Sequence, residues 1–143
     1  MIRMKLPRPG LALLAPAAVL AAACGSSSEP AAEDHVAARF DLAVNGAMMV
    51  DDTIRLRAGA VDTVRFTFYN AADDNLDAHE DEHYSGLTFP GGVNAAAATD
   101  STAHFSQIVT NTEAAGVVGV ATVGYGHDSM ADEKSFPAPF KFE

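Results

Sequence analysis

The chain has 143 residues, of which 48% are apolar, so it can form one domain with a sizeable core. Its formal net charge is −10 at pH 7, which argues against nucleic acid as a partner and favours cations. A single cysteine excludes an intramolecular disulfide bond.

Residues 1–23 predict an export signal. A basic n-region comes first, formed by Arg3, Lys5 and Arg8. An apolar h-region follows at residues 11–20, and residues 21–23 are the small alanines that a signal peptidase needs. The apolar stretch is much shorter than the roughly 20 residues of a membrane-spanning helix. Removal of this signal leaves six Lys and Arg against nineteen Asp and Glu, a formal −13 for residues 24–143.

The next residue is Cys24, the only cysteine of the chain. The run Leu20-Ala-Ala-Ala-Cys24, followed by Gly-Ser-Ser-Ser, resembles a bacterial lipoprotein signal, in which the cysteine is acylated and becomes the mature N-terminus. That pattern has Leu three places before the cysteine, where this chain has Ala21. The alternative is ordinary cleavage after Ala23, which leaves a free thiol. The resemblance implies a lipid anchor in the membrane, and Gly25 implies the outer membrane where a cell has two.

Residues 24–38 predict a flexible tether between the lipid and the folded domain. They are rich in Ser, Ala, Glu and Pro and show no apolar periodicity. His35 lies in this tether, so we expect it to be solvated. The folded domain is then predicted to span residues 39–143.

From Arg39 onward, apolar and polar residues alternate, which indicates strands with one buried face. Strands are predicted at residues 39–44, 53–57 and 61–69, with the turn signal Asn45-Gly46 after the first. The residues expected to face the core are Phe40, Leu42, Val44, Ile54, Leu56, Val64, Phe66 and Phe68.

Four more strands are predicted at residues 84–89, 101–110, 117–125 and 136–142. The third of these is expected to be central, because so many of its residues are apolar. The last is expected to begin at a sheet edge, because Pro137 and Pro139 lack amide donors. Phe105 is expected to face the core, which places His104 toward solvent. Residues 93–100 are rich in alanine and are compatible with a loop or with one or two helical turns.

Seven short strands with turn signals, and no long helical pattern, predict an all-β fold. The expected architecture is an antiparallel Greek-key β-sandwich, cupredoxin-like or Ig-like.

The passage from Thr53 to Asn70 resembles part of the cupredoxins. It contains Ala-Gly and then Asp-Thr-Val-x-Phe-x-x-x-Asn, patterns that Ig-like sandwiches share. In cupredoxins a histidine follows this Asn, and a late strand similar to Val117–Tyr125 leads into a Cys-His-Met loop. This chain has Val-Gly-Tyr-Gly at residues 123–126, where the cysteine would fall. A blue-copper electron-transfer site is therefore excluded, because the cysteine whose thiolate would bind the copper is absent.

Two acidic segments carry histidines and form the candidate metal site. Residues 73–89 contain two histidines and six carboxylates, and residues 126–133 form a second such cluster. Imidazole suits copper and zinc, and neighbouring carboxylates favour cation capture and orient the rings. The candidate ligands are His83 and His127, with His79 as a third and Met130 or Asp128 as additional ligands.

The prediction depends on topology. If every strand simply reverses direction, the loops at 70–82 and 126–135 lie at opposite ends of the sandwich. They meet only if residues 90–101 cross the domain or add a strand, as the cupredoxin resemblance implies.

The sequence leaves three functions open. The first is an exported, lipid-anchored sandwich that binds copper or zinc for storage, delivery or sensing. The second is a metal-free structural or interaction module at the cell surface. The third is a small metallohydrolase, because His79-Glu80-x-x-His83 fits the zinc-peptidase motif. That motif needs a packed helix, whereas acidic residues occupy its middle positions, so a non-enzymatic role is favoured.

Overall fold

The computed structural model describes residues 35–127 and 133–143, in which the chain forms nine β-strands and a 3₁₀ helix at Asp77–His79. The strands are β1 (Arg39–Val44), β2 (Ala47–Met48), β3 (Ile54–Leu56), β4 (Val61–Tyr69), β5 (His83–Thr88), β6 (Ala95–Asp100), β7 (Ala103–Asn111), β8 (Val118–His127) and β9 (Lys134–Phe142). The prediction of an all-β fold is confirmed. Within the described ranges, no helix has the length and apolarity needed to span a membrane.

The strands form two sheets, consistent with a β-sandwich. The five-stranded sheet has the order β2-β1-β4-β7-β6, and the four-stranded sheet has the order β3-β9-β8-β5. Two features differ from the prediction. The described residues form nine strands where about seven were expected, and β3 pairs with β9 in parallel, so the second sheet is mixed rather than purely antiparallel.

The alternating pattern correctly predicted which residues form the core. Burial alternates along β3 and β4, because successive side chains of a strand point to opposite faces. The largest fully buried hydrophobic side chains are Leu42, Ile54, Leu56, Phe66, Phe68, Leu76, Phe105, Tyr125, Phe140 and Phe142.

Strand β8 lies between β9 and β5, so the prediction of a central strand is confirmed. Strand β3 pairs only with Phe140–Phe142 of β9, which leaves the first half of β9 at the sheet edge. Pro137 and Pro139 lie in that half and need donate no hydrogen bond on the open side. The expected edge position of this strand is also confirmed.

Strand β6 decides where the loops lie. Its alanine-rich residues, which the sequence left as loop or helix, pair with β7 at the edge of the five-stranded sheet. This additional strand reverses the chain once more between β5 and β7. As a result β4 and β8 end, and β5 and β9 begin, at the same end of the sandwich, which we call the histidine end.

His35, four residues before the predicted start of the domain, already packs against the sandwich. The Tyr125 hydroxyl donates a hydrogen bond to the His35 carbonyl at 2.6 Å. The Ala38 amide donates to the Tyr69 carbonyl at 2.7 Å, and Ala37 between them is buried. These contacts hold residues 35–38, the end of the predicted tether, against the histidine end.

At the opposite end, Asp62 is a buried carboxylate with three donors. It accepts hydrogen bonds from the Asn45 side chain at 2.6 Å, from Arg57 Nε at 2.7 Å and from the Arg57 amide at 2.8 Å. Burial alone would raise the pKa of Asp62. The hydrogen bonds from Asn45 and Arg57 outweigh it and hold the pKa below the ordinary value of 3.8.

We expect Asp62→Asn to lower the free energy of unfolding by about 1–3 kcal/mol at pH 7. A carboxyl whose pKa is lower in the folded state stabilises the fold above its unfolded pKa, and this contribution is lost as the pH falls. The difference from the wild type should therefore shrink below about pH 4. Urea denaturation at pH 7 and pH 3.5 measures it, with the exposed Asp81→Asn as the control. A difference that stays constant with pH would contradict this assignment.

Candidate metal centre

Two histidines predicted as ligands lie side by side at the histidine end. His83 is the first residue of β5 and His127 the last of β8, and they are direct cross-strand partners. Residues so paired project from the same face of a sheet, and the two ring centroids are 3.8 Å apart. His83 is 1% exposed, whereas the side chain of His127 is 48% exposed. The pair therefore has one buried member and one member open to solvent.

Hydrogen bonds fix the same tautomer for both rings. His83 Nδ1 lies 3.1 Å from the carbonyl oxygen of His79, and His127 Nδ1 lies 3.0 Å from a carboxylate oxygen of Glu133. Because these oxygens accept hydrogen bonds, each Nδ1 carries a proton, which leaves a lone pair on Nε2 wherever the ring is neutral. Metal-binding histidines are typically oriented in this way by a carbonyl or carboxylate behind the ring.

The buried ring favours the form that a metal requires. Burial lowers the pKa of His83 below its ordinary value of 6.5, and the hydrogen bond to His79 opposes this only in part. The imidazole is thus held neutral, as metal ligation demands. Its Nε2 is buried and has no hydrogen-bond partner among the described residues. Such an orphaned atom is uncommon in folded proteins and indicates a missing water or ion.

Glu133 brings a carboxylate to the pair. One ligand atom each from His83, His127 and Glu133 can be chosen so that all three lie within 4.8 Å of one another. Two imidazoles and a carboxylate fit a divalent transition metal, which binds such atoms at about 2.0–2.2 Å. This group can therefore hold a metal ion, and the donor types alone do not distinguish copper from zinc.

The aromatic core supports this pair from beneath. The ring of Tyr125 stacks on His83 with centroids 4.8 Å apart and an angle of 19°. Phe68, from the other sheet, packs against Tyr125 at 4.9 Å. Since both rings are fully buried, they leave His83 little freedom to move.

The other predicted ligands have different outcomes. His79 ends the 3₁₀ helix, with its ring 6.1 Å from that of His83. Asp128 and Met130 lie outside the described residues, as does Cys24. Sequence reasoning missed Glu133 as a ligand, although it belongs to the acidic cluster that contains His127.

The peptidase motif does not have the geometry its chemistry requires. His79 lies in a single 3₁₀ turn and His83 in a strand, so the two are not on one face of an α-helix. Both oxygens of the Glu80 carboxylate accept hydrogen bonds from Arg65, and one accepts another from the Phe105 amide at 2.9 Å. Burial would raise the pKa of Glu80, but Arg65 and the Phe105 amide lower it. Glu80 is therefore an ionised structural anchor.

His104 also differs from expectation, because it is covered rather than directed to solvent. Its ring stacks on Tyr84 at 4.1 Å, and its Nδ1 lies 2.8 Å from the Glu80 carbonyl, to which it donates. Glu80 is thus held through both its side chain and its backbone. These contacts fix the loop that carries His79 and His83.

We expect Glu80→Gln to loosen this loop. It removes the charge of a partly buried ion pair, in which the side chains of Arg65 and Glu80 are 32% and 21% exposed. The free energy of unfolding should fall by about 1–3 kcal/mol. Metal affinity should fall by about tenfold, the usual effect of losing a group that positions ligands. Denaturation and calorimetry check both values, with the exposed Glu82→Gln as the matched control. Unchanged affinity in Glu80→Gln would show that the anchor does not position the site.

Fold and site together define an all-β, sandwich-like protein with a histidine and glutamate group at one end that can hold a metal ion. Comparison with models of protein families, with curated proteins and with solved structures finds no match. The function is therefore argued from the site.

Proposed function

We propose that the protein is an exported, lipid-anchored β-sandwich that binds copper or zinc through the His83, His127 and Glu133 group, for storage, delivery or sensing. One observation carries the proposal. Two cross-strand histidines lie with their rings 3.8 Å apart beside Glu133, and the buried Nε2 atom of His83 has no hydrogen-bond partner among the described residues.

The chemistry of the donors supports copper or zinc. Imidazole nitrogen suits both ions, and copper binds most tightly among the divalent first-row metals to a given set of nitrogen and oxygen ligands. The formal charge of −13 on residues 24–143 raises the local concentration of cations.

The arrangement supports binding rather than hydrolysis. Half-exposed His127 gives an ion access from solvent, while buried His83 holds the inner side of the site. The acid that a His-Glu-x-x-His enzyme uses as its base is here bonded to Arg65. Storage, delivery and sensing require reversible ligation of this kind.

We also propose that the sandwich is of the Greek-key, cupredoxin-like type. The crossing of the chain between sheets and the parallel pairing of β3 with β9 support this type over a simple meander. Asn70 supports it further, since its side-chain oxygen accepts hydrogen bonds from the Ala72 and Asp74 amides and shapes the loop before the histidines. The signal sequence and Cys24 support export and lipid attachment.

Calorimetric titration with Cu(II) and Zn(II) tests the proposal. The protein is expressed from its full-length coding sequence and purified in mild detergent, beside His127→Ala and the control Glu82→Gln, which changes an exposed residue. We expect one ion per chain at micromolar or tighter affinity, lost in His127→Ala and retained in Glu82→Gln. Weak, salt-sensitive binding that His127→Ala leaves unchanged would contradict the proposal and favour the metal-free interaction module.

A further inference from the structure

The sequence predicted that His35 would be solvated in the tether. In the structure its ring packs against the candidate metal centre instead. Its ring is 4.2 Å from that of His79 in an edge-to-face contact. It also lies parallel to the ring of His83, with centroids 6.3 Å apart and an angle of 13°. Three imidazoles from two separate segments therefore cluster at the histidine end.

The Nδ1 atom of His35 is buried and has no hydrogen-bond partner among the described residues. A histidine in a solvated tether would satisfy this atom with water. In the described part of the chain, the only other orphaned buried side-chain atom is His83 Nε2. Both unpartnered nitrogens thus belong to the same ring cluster.

Tyr125 places both of these histidines. Its hydroxyl donates to the His35 carbonyl at 2.6 Å, and its ring stacks on His83. The contact is made by a core residue, and His35 is held at the cluster by the fold itself.

The ring spacing is close to that of shared ligation. With a metal–nitrogen distance of about 2.0–2.1 Å, a ring centroid lies roughly 3.2 Å from the ion, so two ligand rings are roughly 4.5–6.5 Å apart. The distances of 6.3 Å from His35 to His83 and of 6.1 Å from His79 to His83 fall within this range. The 4.2 Å between His35 and His79 and the 3.8 Å between His83 and His127 are shorter, so both of these pairs of rings must move apart to share one ion.

We propose that His35 and His79 complete the metal centre with His83 and His127, giving a nitrogen-rich site for copper or zinc. This inference rests on the proposed function and extends it. Glu133, 3.0 Å from His127 Nδ1, then orients that ring. Because His35 belongs to the segment that leads to Cys24, the bound ion fastens the end of the tether to the sandwich.

Pulsed electron paramagnetic resonance of the Cu(II)-loaded protein counts the coordinated imidazoles. We expect at least three in the wild type, one fewer in His35→Ala and one fewer in His79→Ala, with Cu(II) affinity lowered at least about tenfold in each. Glu82→Gln, at an exposed position of the same loop, is the matched control and should keep the wild-type spectrum and affinity. Circular dichroism confirms that each variant is folded.

Hydrogen exchange gives an independent measurement. The Ala38 amide, bonded to the Tyr69 carbonyl, should gain protection on addition of Zn(II) in the wild type and not in His35→Ala. If His35→Ala and His79→Ala bind Cu(II) as the wild type does while His127→Ala does not, this inference is overturned and the proposed function stands. If the wild type itself binds no metal, both are overturned.

Discussion

His83→Leu is expected to abolish metal binding and to leave the metal-free protein at least as stable as the wild type. The wild type buries the Nε2 atom of His83 without a partner among residues 35–127 and 133–143, and such an atom costs about 1–3 kcal/mol. Leucine has a similar volume, brings no polar atom, and keeps the apolar contact with Tyr125. The site would then hold its histidine at the expense of stability, as functional sites commonly do.

The hydrogen bonds around His83 support this expectation. His83 donates to the His79 carbonyl, but that oxygen also accepts from the Glu82 amide at 3.0 Å, so it keeps a partner after the substitution. We expect the free energy of unfolding to rise by about 1 kcal/mol. Urea denaturation in the presence of a chelator measures it.

His104→Leu is the matched control. It removes the hydrogen bond to the Glu80 carbonyl and the stacking on Tyr84, so it should lower stability by about 1–2 kcal/mol and weaken metal binding without abolishing it. A loss of more than about 1 kcal/mol in His83→Leu would show that His83 is a structural residue whose Nε2 is satisfied.

Phe68→Ala is expected to lower the free energy of unfolding by about 3–5 kcal/mol. Phe68 is fully buried at the centre of the aromatic core. Its ring contacts those of Phe40, Phe66, Phe105, Tyr125 and Phe136. The substitution costs more than the lost transfer free energy of the ring, because the neighbouring rings, held by two sheets, collapse only partly into the cavity left behind. The expected loss is a large part of the free energy of unfolding of a typical domain, which is about 5–15 kcal/mol.

The same substitution should weaken metal binding, since Tyr125 loses its support and His83 stacks on Tyr125. Thermal or urea denaturation measures the first effect, and calorimetry below the unfolding transition measures the second. Val61→Ala, on the same strand at a position 54% exposed, should change stability by about 0.5 kcal/mol or less. Equal effects of the two substitutions would contradict the assignment of Phe68 to the core.

The core could be predicted from the sequence because period-two alternation reports directly which face of a strand is buried. Ile54 and Leu56 in β3, and Phe66 and Phe68 in β4, follow this rule without exception. The edge position of Pro137 was predictable for a similar local reason, since proline has no amide hydrogen to donate.

The end of the sandwich at which the histidines meet could not be predicted. That depends on β6, and its run of four alanines carries no contrast between faces from which a strand can be recognised. The parallel pairing of β3 with β9 joins residues about 86 positions apart and likewise leaves no local signal. The sequence therefore predicted that His83 and His127 lie side by side only if residues 90–101 cross the domain or add a strand.

The candidate site was predictable in its residue types and not in its full extent. Histidines among carboxylates identified His83 and His127. The role of Glu133 depends on the approach of β9 to β8, and the docking of His35 depends on Tyr125, 90 residues away. Both contacts are tertiary, so the local sequence of the polar tether and of the acidic loop does not predict them.

Nuclear magnetic resonance of the protein with ¹⁵N-labelled histidine, during titration with Zn(II), tests most directly whether β5 and β8 share a metal centre. We expect the signals of Nε2 of His83 and of His127 to shift together from the lone-pair position to the metal-bound position, with saturation at one ion per chain, while those of His104 are unchanged. Histidine nitrogens that respond weakly and uniformly, without saturation at one ion, would contradict a metal centre shared by β5 and β8.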